Sequence, residues 1–185
     1  MKEIIYNDDN LVEDKIIKKQ TKIRAVLISS KNKIILANYN GVYLFPGGGI
    51  EDGELKEDAL KREIKQELGI EIFLENKKPS IVVKQLIKNY PDRKSNCNVD
   101  RVSTTYYYLI ELNNYSINSE KISLTESEKS GNFITFLVDI NNASSLILNN
   151  RTENPRNKYF AREALVVIQE LQKICNREEK DFEIK

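Results

Sequence analysis

The sequence predicts an α/β sandwich, and three observations carry that expectation. Short β-rich stretches separated by turn residues run through most of the chain. One helix dense in carboxylates interrupts them, between a glycine-rich turn and a glycine stop. A second, amphipathic helix follows the last strand, so helices and sheet must share a core. At 185 residues and 40% hydrophobic content, one domain with a sizeable core is expected, and no internal repeat or low-complexity linker marks a second. The expected organisation is a single domain over 1–185, with an N-terminal arm or edge strand at 1–20 and a charged, fraying tail at 176–185.

The elements follow in order. Within the arm, 14–20 is the candidate edge strand. Arg24-Ala25-Val26-Leu27-Ile28 and Ile34-Ile35-Leu36-Ala37-Asn38 flank the turn residues Ser30-Lys31-Asn32-Lys33, so 22–39 reads as a hairpin. Tyr43-Leu44-Phe45 is a short strand that delivers the chain to Pro46 and three glycines, which cannot continue a strand. Residues 55–68 lack Gly and Pro, and Gly69 stands where a left-handed C-cap belongs, so this is a helix. Beyond it, 72–74 and 80–88 read as strands and 89–100 as a loop long enough to be functional.

Residues 101–112 form a central strand candidate. Its consecutive Tyr106, Tyr107 and Tyr108 point alternately to opposite faces, and packing is the commoner fate of such tyrosines than stacking on a base. Residues 113–129 are polar and irregular, 133–138 is a further strand, and 140–148 is a short helix or turn. In 149–158, Arg151, Arg156 and Lys158 form a basic cluster for which exposure outweighs a phosphate-binding role. From 159 to 174, Phe160, Ala164, Val167, Ile168, Leu171 and Ile174 fall at helical spacing, so this helix covers the sheet.

A net charge of +1 with interspersed signs gives no field that favours nucleic acid or an anionic membrane. Cys97 and Cys175 belong to no CxxC pair, which suits free thiols in a reducing cytosol. With no His in the chain, a catalytic thiol lacks its usual partner. The N-terminus is too acidic for a signal peptide and nothing approaches a membrane span. A soluble cytoplasmic protein is therefore expected.

The chemistry concentrates in the first helix. With Leu60 at zero and a step of about 100° per residue, Ile64 and Leu68 fall near about 40° and 80°, and Glu67, Glu63 and Gln66 near about −20°, −60° and −120°. The apolar and oxygen-rich stripes lie side by side, with Glu67 at their border. Two carboxylates one turn apart on a half-buried stripe repel each other and lose hydration unless a cation sits between them. Carboxylate oxygens with a bare glycine carbonyl suit Mg²⁺, or Mn²⁺ as a substitute, rather than zinc. On this spacing alone, a solvated face of Glu/Lys pairs is the favoured alternative.

The whole string changes that balance. Gly48, five residues, Glu54, seven residues, then Arg62-Glu63-Ile64-x-Gln66-Glu67-x-Gly69-Ile70 closely resembles the signature of the Nudix hydrolases, matching every fixed position save one. The departure is Gln66, where the family has a glutamate. The resemblance implies the Nudix fold, a mixed sheet between helices. It makes Glu63, Glu67 and the Gly47 carbonyl metal ligands, with the Gln66 amide oxygen a weaker, uncharged one. It makes Arg62 and Glu54 a pair that fixes the loop against the helix and orients Glu63. Glu126 and Glu128 are candidates for the additional carboxylate that these enzymes often draw from a loop, though a solvated loop is the commoner setting for either.

The implied reaction is water attack on the pyrophosphate of a nucleoside diphosphate linked to another moiety, with Mg²⁺ screening the phosphates and Glu63 or a loop glutamate taking the proton. The implied partner is a nucleotide-type small molecule, and homodimers are common among such proteins. Two rivals stand beside this reading. One is a sensing module that binds a nucleotide or ADP-ribose with little turnover because of Gln66. The other is a different enzyme on the same scaffold, such as a mismatched-adenine glycosylase domain or a prenyl diphosphate isomerase; the missing His and lack of a suitable Cys argue against the isomerase.

Overall fold

The computed structural model describes residues 1–92, 95–112 and 117–183, with side chains described as far as 175. Seven strands, β1 (Lys2–Tyr6), β2 (Lys18–Ile28), β3 (Lys33–Tyr39), β4 (Val42–Leu44), β5 (Ile81–Pro91), β6 (Asn98–Glu111) and β7 (Ile134–Asp139), share one sheet with four helices around it: α1 (Lys56–Leu68), α2 (Glu126–Ser130), α3 (Ile140–Leu148) and α4 (Asn157–Glu183). The strand order is β1-β5-β6-β2-β3-β4, and β7 pairs with β3. The sheet is mixed: β1/β5 and β2/β6 run parallel, the other pairs antiparallel.

The alternation of β2 divides the molecule. Ile23, Ala25 and Leu27 face α1 and pack with its Ala59, Leu60, Ile64 and Leu68. On the other face, Val26 joins Phe45, Ile81, Val83 and Tyr107 under α3 and α4. This is the expected sandwich. Leu60, Ile64 and Leu68 are fully buried, worth about 1.5–3 kcal/mol each, and Gly69 ends α1 in the left-handed conformation at φ 67°.

Several elements differ from expectation. The arm begins with β1, a strand whose parallel partner, β5, lies some eighty positions further along the chain. The 22–39 segment closes as a hairpin only next to its turn: β2 and β3 pair at Ile28 and Ile34, after which β4 takes the place of β2 along Ala37–Tyr39. A cleft opens where β2 leaves. Residues 72–74 form no strand; Ile72 and Leu74 are buried beside α1 while Phe73 points to solvent. The 89–100 loop is shorter than read, because β5 runs to Pro91 and β6 starts at Asn98; its positions 93–94 lie outside the described residues. In the 113–129 segment, 113–116 lie outside them too, and the rest holds a short 3-10 turn at Ser119–Lys121 and the start of α2. The tail expected to fray continues α4 to Glu183, and 184–185 lie outside the described residues.

The three tyrosines all pack. Tyr107 donates to Glu163 at 2.6 Å under α4, Tyr108 donates to Glu57 at 2.8 Å on the α1 side, and Lys56 lies over the ring of Tyr106.

Candidate metal centre and adjoining pocket

Backbone bonds strap the glycine turn to β2. The Ile23 N–H donates to the Gly48 carbonyl at 3.0 Å and the Ala25 N–H to that of Pro46 at 2.9 Å. Between them Arg24, pointing to the α4 side, donates from Nη1 to the carbonyls of Phe45 and Gly47. The Gly47 N–H in turn donates to Glu67 Oε2 at 2.7 Å. The turn is therefore held from both sides, and α1 is docked onto it through one of its carboxylates.

Glu63 and Glu67 are only 8% and 3% exposed, more deeply placed than a half-buried stripe. The apolar burial of α1 carries them inward, although desolvating a carboxylate opposes it. Burial pushes the Glu63 carboxyl up, against the hydrogen bond and charge of Arg62; burial pushes Glu67 well above the usual carboxylate range, with Arg24 and the Gly47 N–H pulling the other way. A Cβ at Gly48 would meet the Glu63 carboxylate, so a larger residue there would have to displace that side chain.

Arg62 organises the rim. Its Nε and Nη2 grip Glu54 at 2.8 and 2.9 Å, Nη2 also reaches the Gly49 carbonyl, and Nη1 donates to Glu63 Oε1 at 2.9 Å. The bidentate grip is the strong geometry for this pair; Arg62 and the Glu51 N–H hold the Glu54 carboxyl down at about 2. The Gln66 amide oxygen accepts from Arg62 Nη1 at 3.4 Å.

Of the two loop glutamates, the structure brings in one. Ligand oxygens of Glu63, Glu67 and Glu128 lie within 4.8 Å of one another. Glu128 is aimed by a capping box at the start of α2, where it accepts from the Thr125 N–H at 2.6 Å while Thr125 Oγ1 accepts from the Glu128 N–H. Tyr39 ties the same helix to β3 through Ser127 at 2.8 Å. Glu126 points away, 91% exposed at its side chain, and pairs with Lys129. An all-oxygen cluster of two buried carboxylates and a third beside them is the donor set of a hard divalent cation.

A pocket of about 430 Å³ adjoins this cluster, in the cleft where β2 and β4 diverge. Gly48 and Gly49 form one wall; Lys22, Arg24, Arg101, Arg156 and Phe160 form others. Lys22 lies over the Phe160 ring and Arg101 over that of Tyr90. Burial depresses Lys22 to about 7; Glu163 opposes this, while Arg24, Arg101 and Arg156 add to it. Sequence reasoning took 22–39 as hairpin and left the pocket unread. The signal was there: Lys18, Gln20, Lys22 and Arg24 occupy alternate positions, and Lys22 and Arg24 continue this polar stripe into the part of the strand whose other face, at Ile23, Ala25 and Leu27, is core. Arg156, for which exposure was favoured, lines this pocket, whereas Arg151 is exposed.

Comparisons with known proteins bear on the family and the fold. The NUDIX domain family model matches residues 18–128. The 8-oxo-dGTP diphosphatase of Proteus vulgaris is 39% identical over 62 residues, 30% of this chain and 55% of that protein. Nucleoside triphosphatase NudI of Escherichia fergusonii is 46% identical over 41 residues, 22% of this chain and 29% of that protein. The chain thus spans about half the length of the first of these relatives and less of the second. Among solved structures, the E. coli dihydroneopterin triphosphate pyrophosphohydrolase superposes with a TM-score of 0.50 at 17% identity, covering 82% of this chain and 99% of that one. A bifunctional NMN adenylyltransferase/ADP ribose pyrophosphatase from Francisella tularensis reaches 0.51 at 16% identity, covering 82% and 42%. At such identities these two likenesses speak to the fold.

Proposed function

The chain belongs to the Nudix family, and from that premise we propose that it is a Mg²⁺-dependent hydrolase that cleaves the pyrophosphate bond of a nucleoside diphosphate linked to another moiety. The observation that carries the reading is the convergence of Glu63, Glu67 and Glu128 oxygens within 4.8 Å beside the glycine turn. Carboxylates that close and that buried repel and are desolvated, and a divalent cation is the partner that relieves both costs.

In this reading Glu63, Glu67 and Glu128 hold the metal, with the Gly47 carbonyl and Gln66 amide oxygen as further donors. The bound ion supplies charge neutralisation on the diphosphate and a more acidic water. Arg62 keeps Glu63 in place by gripping Glu54 and Glu63 together. Glu63 is the candidate to accept the proton of the attacking water, with Glu128 as the loop alternative. Arg24 adds fixed positive charge behind the turn. Glu126 has no part in it.

The substrate is a nucleotide-type small molecule in a cytoplasmic setting; among the described residues no helix is long and apolar enough to cross a membrane. The chain is read as one domain over 1–185, with a homodimer as its candidate assembly. The test is release of nucleotide from nucleoside triphosphates, dinucleoside polyphosphates, nucleotide sugars and ADP-ribose. Release should require Mg²⁺ and fall on the order of a thousandfold in Glu67→Gln. A protein that binds ADP-ribose tightly with Mg²⁺ present yet releases nothing would instead be the sensing module.

A further inference from the structure

The pocket beside the acidic cluster is short of negative charge. Lys22, Arg24, Arg101 and Arg156 line it, and its one lining carboxylate among the described residues, Asp92, sits 3.9 Å from Arg101 and 3.8 Å from Lys18. Arg24 is committed to two carbonyls of the glycine turn. Arg101 is different: only 6% exposed, it has no hydrogen-bond partner for Nε among the described residues. A buried guanidinium with an idle donor is costly unless something accepts from it.

The same strand face carries more idle groups. Ser103 and Thr105 follow Arg101 at two-residue steps along β6, so all three point to the α4 side. Their hydroxyls are buried without a partner among the described residues, as is Oε1 of Gln85, the residue opposite Ser103 on β5. On β2, Lys22 lies opposite Thr105. Glu163, the nearest acid on α4, is already engaged by Tyr107 and Gln85. The aromatic rings under Lys22 and Arg101 hold both cations in place.

Gly48 lines the pocket on one side and abuts the Glu63 carboxylate on the other. A molecule filling the pocket therefore lies against the same Gly48 backbone that borders the Glu63 carboxylate. We propose that this pocket seats an anionic group, a phosphate or a carboxylate, on the part of the substrate beyond the scissile diphosphate, held by Arg101, Lys22 and Arg156. A neutral ring alone would bury these cations further and give their donors nothing; a second anion satisfies them. The proposal rests on the hydrolase reading of the neighbouring carboxylates, and the experiment separates the two.

Two arms test it on the full chain. In the first, inorganic phosphate and succinate are titrated calorimetrically into metal-free protein. Saturable binding is expected for wild type and for Glu67→Gln, weakened about tenfold or more by Arg101→Gln and by Arg156→Gln. Arg156→Gln, at a partly exposed position, guards against misfolding of the buried variant. Phosphate preferred over succinate identifies a phosphate as the seated group, and equal binding admits a carboxylate. In the second arm, a nucleoside diphosphate linked to a neutral sugar is compared with the same compound bearing a further phosphate on that sugar. The phosphorylated member should show the lower KM, by about tenfold, and Arg156→Gln should erase the difference while leaving Mn²⁺ affinity unchanged. Phosphate binding indifferent to both arginine variants, or equal KM for the pair, overturns the proposal. Arginine-dependent phosphate binding in a wild type that hydrolyses nothing leaves the anion pocket standing and removes the hydrolase reading.

Discussion

The two faces of the sheet at the glycine turn carry opposite charge. On the α1 side, Glu63, Glu67 and Glu128 converge, with Arg62 at the rim. On the α4 side, Lys22, Arg101 and Arg156 converge on a pocket with one lining acid among the described residues. Neither group neutralises the other, because β2 and the Gly47–Gly48 backbone lie between them and Arg24 is tied to that backbone. Each half keeps an excess of one sign, offset only in part by Arg62 among the acids and by Glu163 and Asp92 among the cations, and such an excess is tolerated where a bound partner of the other sign completes it. In the proposed reading a divalent cation completes the first half and an anionic group of the substrate the second.

The comparison can be broken most sharply at the shared wall. Gly48→Ala drives a methyl into the Glu63 carboxylate and should cut turnover about a hundredfold through misplacement of that side chain. Calorimetric titration of Mn²⁺ into the variant should show weaker binding in parallel. A fully active variant would mean that Glu63 does not need its observed position.

The acidic half can be sharpened by contrast between two neighbours. Glu128→Gln should lower activity about tenfold or more, and Glu126→Gln should leave it unchanged, since only Glu128 joins the cluster. Mn²⁺ at a hundred times the wild-type Kd should stabilise wild type by about 2.7 kcal/mol, read as a higher melting temperature, and the same concentration should stabilise Glu128→Gln by less.

Glu54 probes the rim. Its folded value is depressed to about 2, so its stabilising contribution is complete above the ordinary 4.5 and is lost as pH falls through about 2. Glu54→Gln should cost about 1 kcal/mol at pH 7 by urea unfolding, a partly exposed pair being modest in worth. The difference from wild type should shrink between pH 4.5 and 2.

Lys22 differs in that its shift marks a cost to the folded state, incurred where the side chain would otherwise be charged. Its folded value near 7 lies below the unfolded 10.5, so the unfolded chain binds the extra proton across that window and stability rises with pH from about 7 to 10.5. Glu163 on α4 opposes the shift, and Arg24 on the same strand, Arg101 on β6 and Arg156 ahead of α4 promote it. In Lys22→Met the rise should be reduced, which unfolding curves at pH 7 and pH 9.5 would show.

What could be read in the chain follows the range of the forces involved. The glycine turn, α1 with its left-handed stop, and the Arg62–Glu54 pair all lie within one short segment; local chemistry revealed the first two, and the resemblance to the Nudix signature implied the pair. The burial of Glu67 at the edge of the apolar stripe was equally local. β1 was missed because a five-residue strand is defined by its partner, here residues 81–85. Residues 72–74 misled because the alternation of Ile72 and Leu74 about Phe73 has the period of a strand but found core contacts without a strand to pair with.

By itself, then, the sequence determined the α/β class, the helix that presents Glu63 and Glu67, and the family to which the turn and helix belong, because periodicity and capping act over a few residues. Only the tertiary structure decided that Glu128 rather than Glu126 joins them, that Arg24 grips the turn, and that Lys22, Arg101 and Arg156 share a pocket. Those choices bring together side chains from β2, β6, α2 and the segment just before α4, and no spacing along the chain encodes a distance that the sheet's strand order and the docking of its helices alone create.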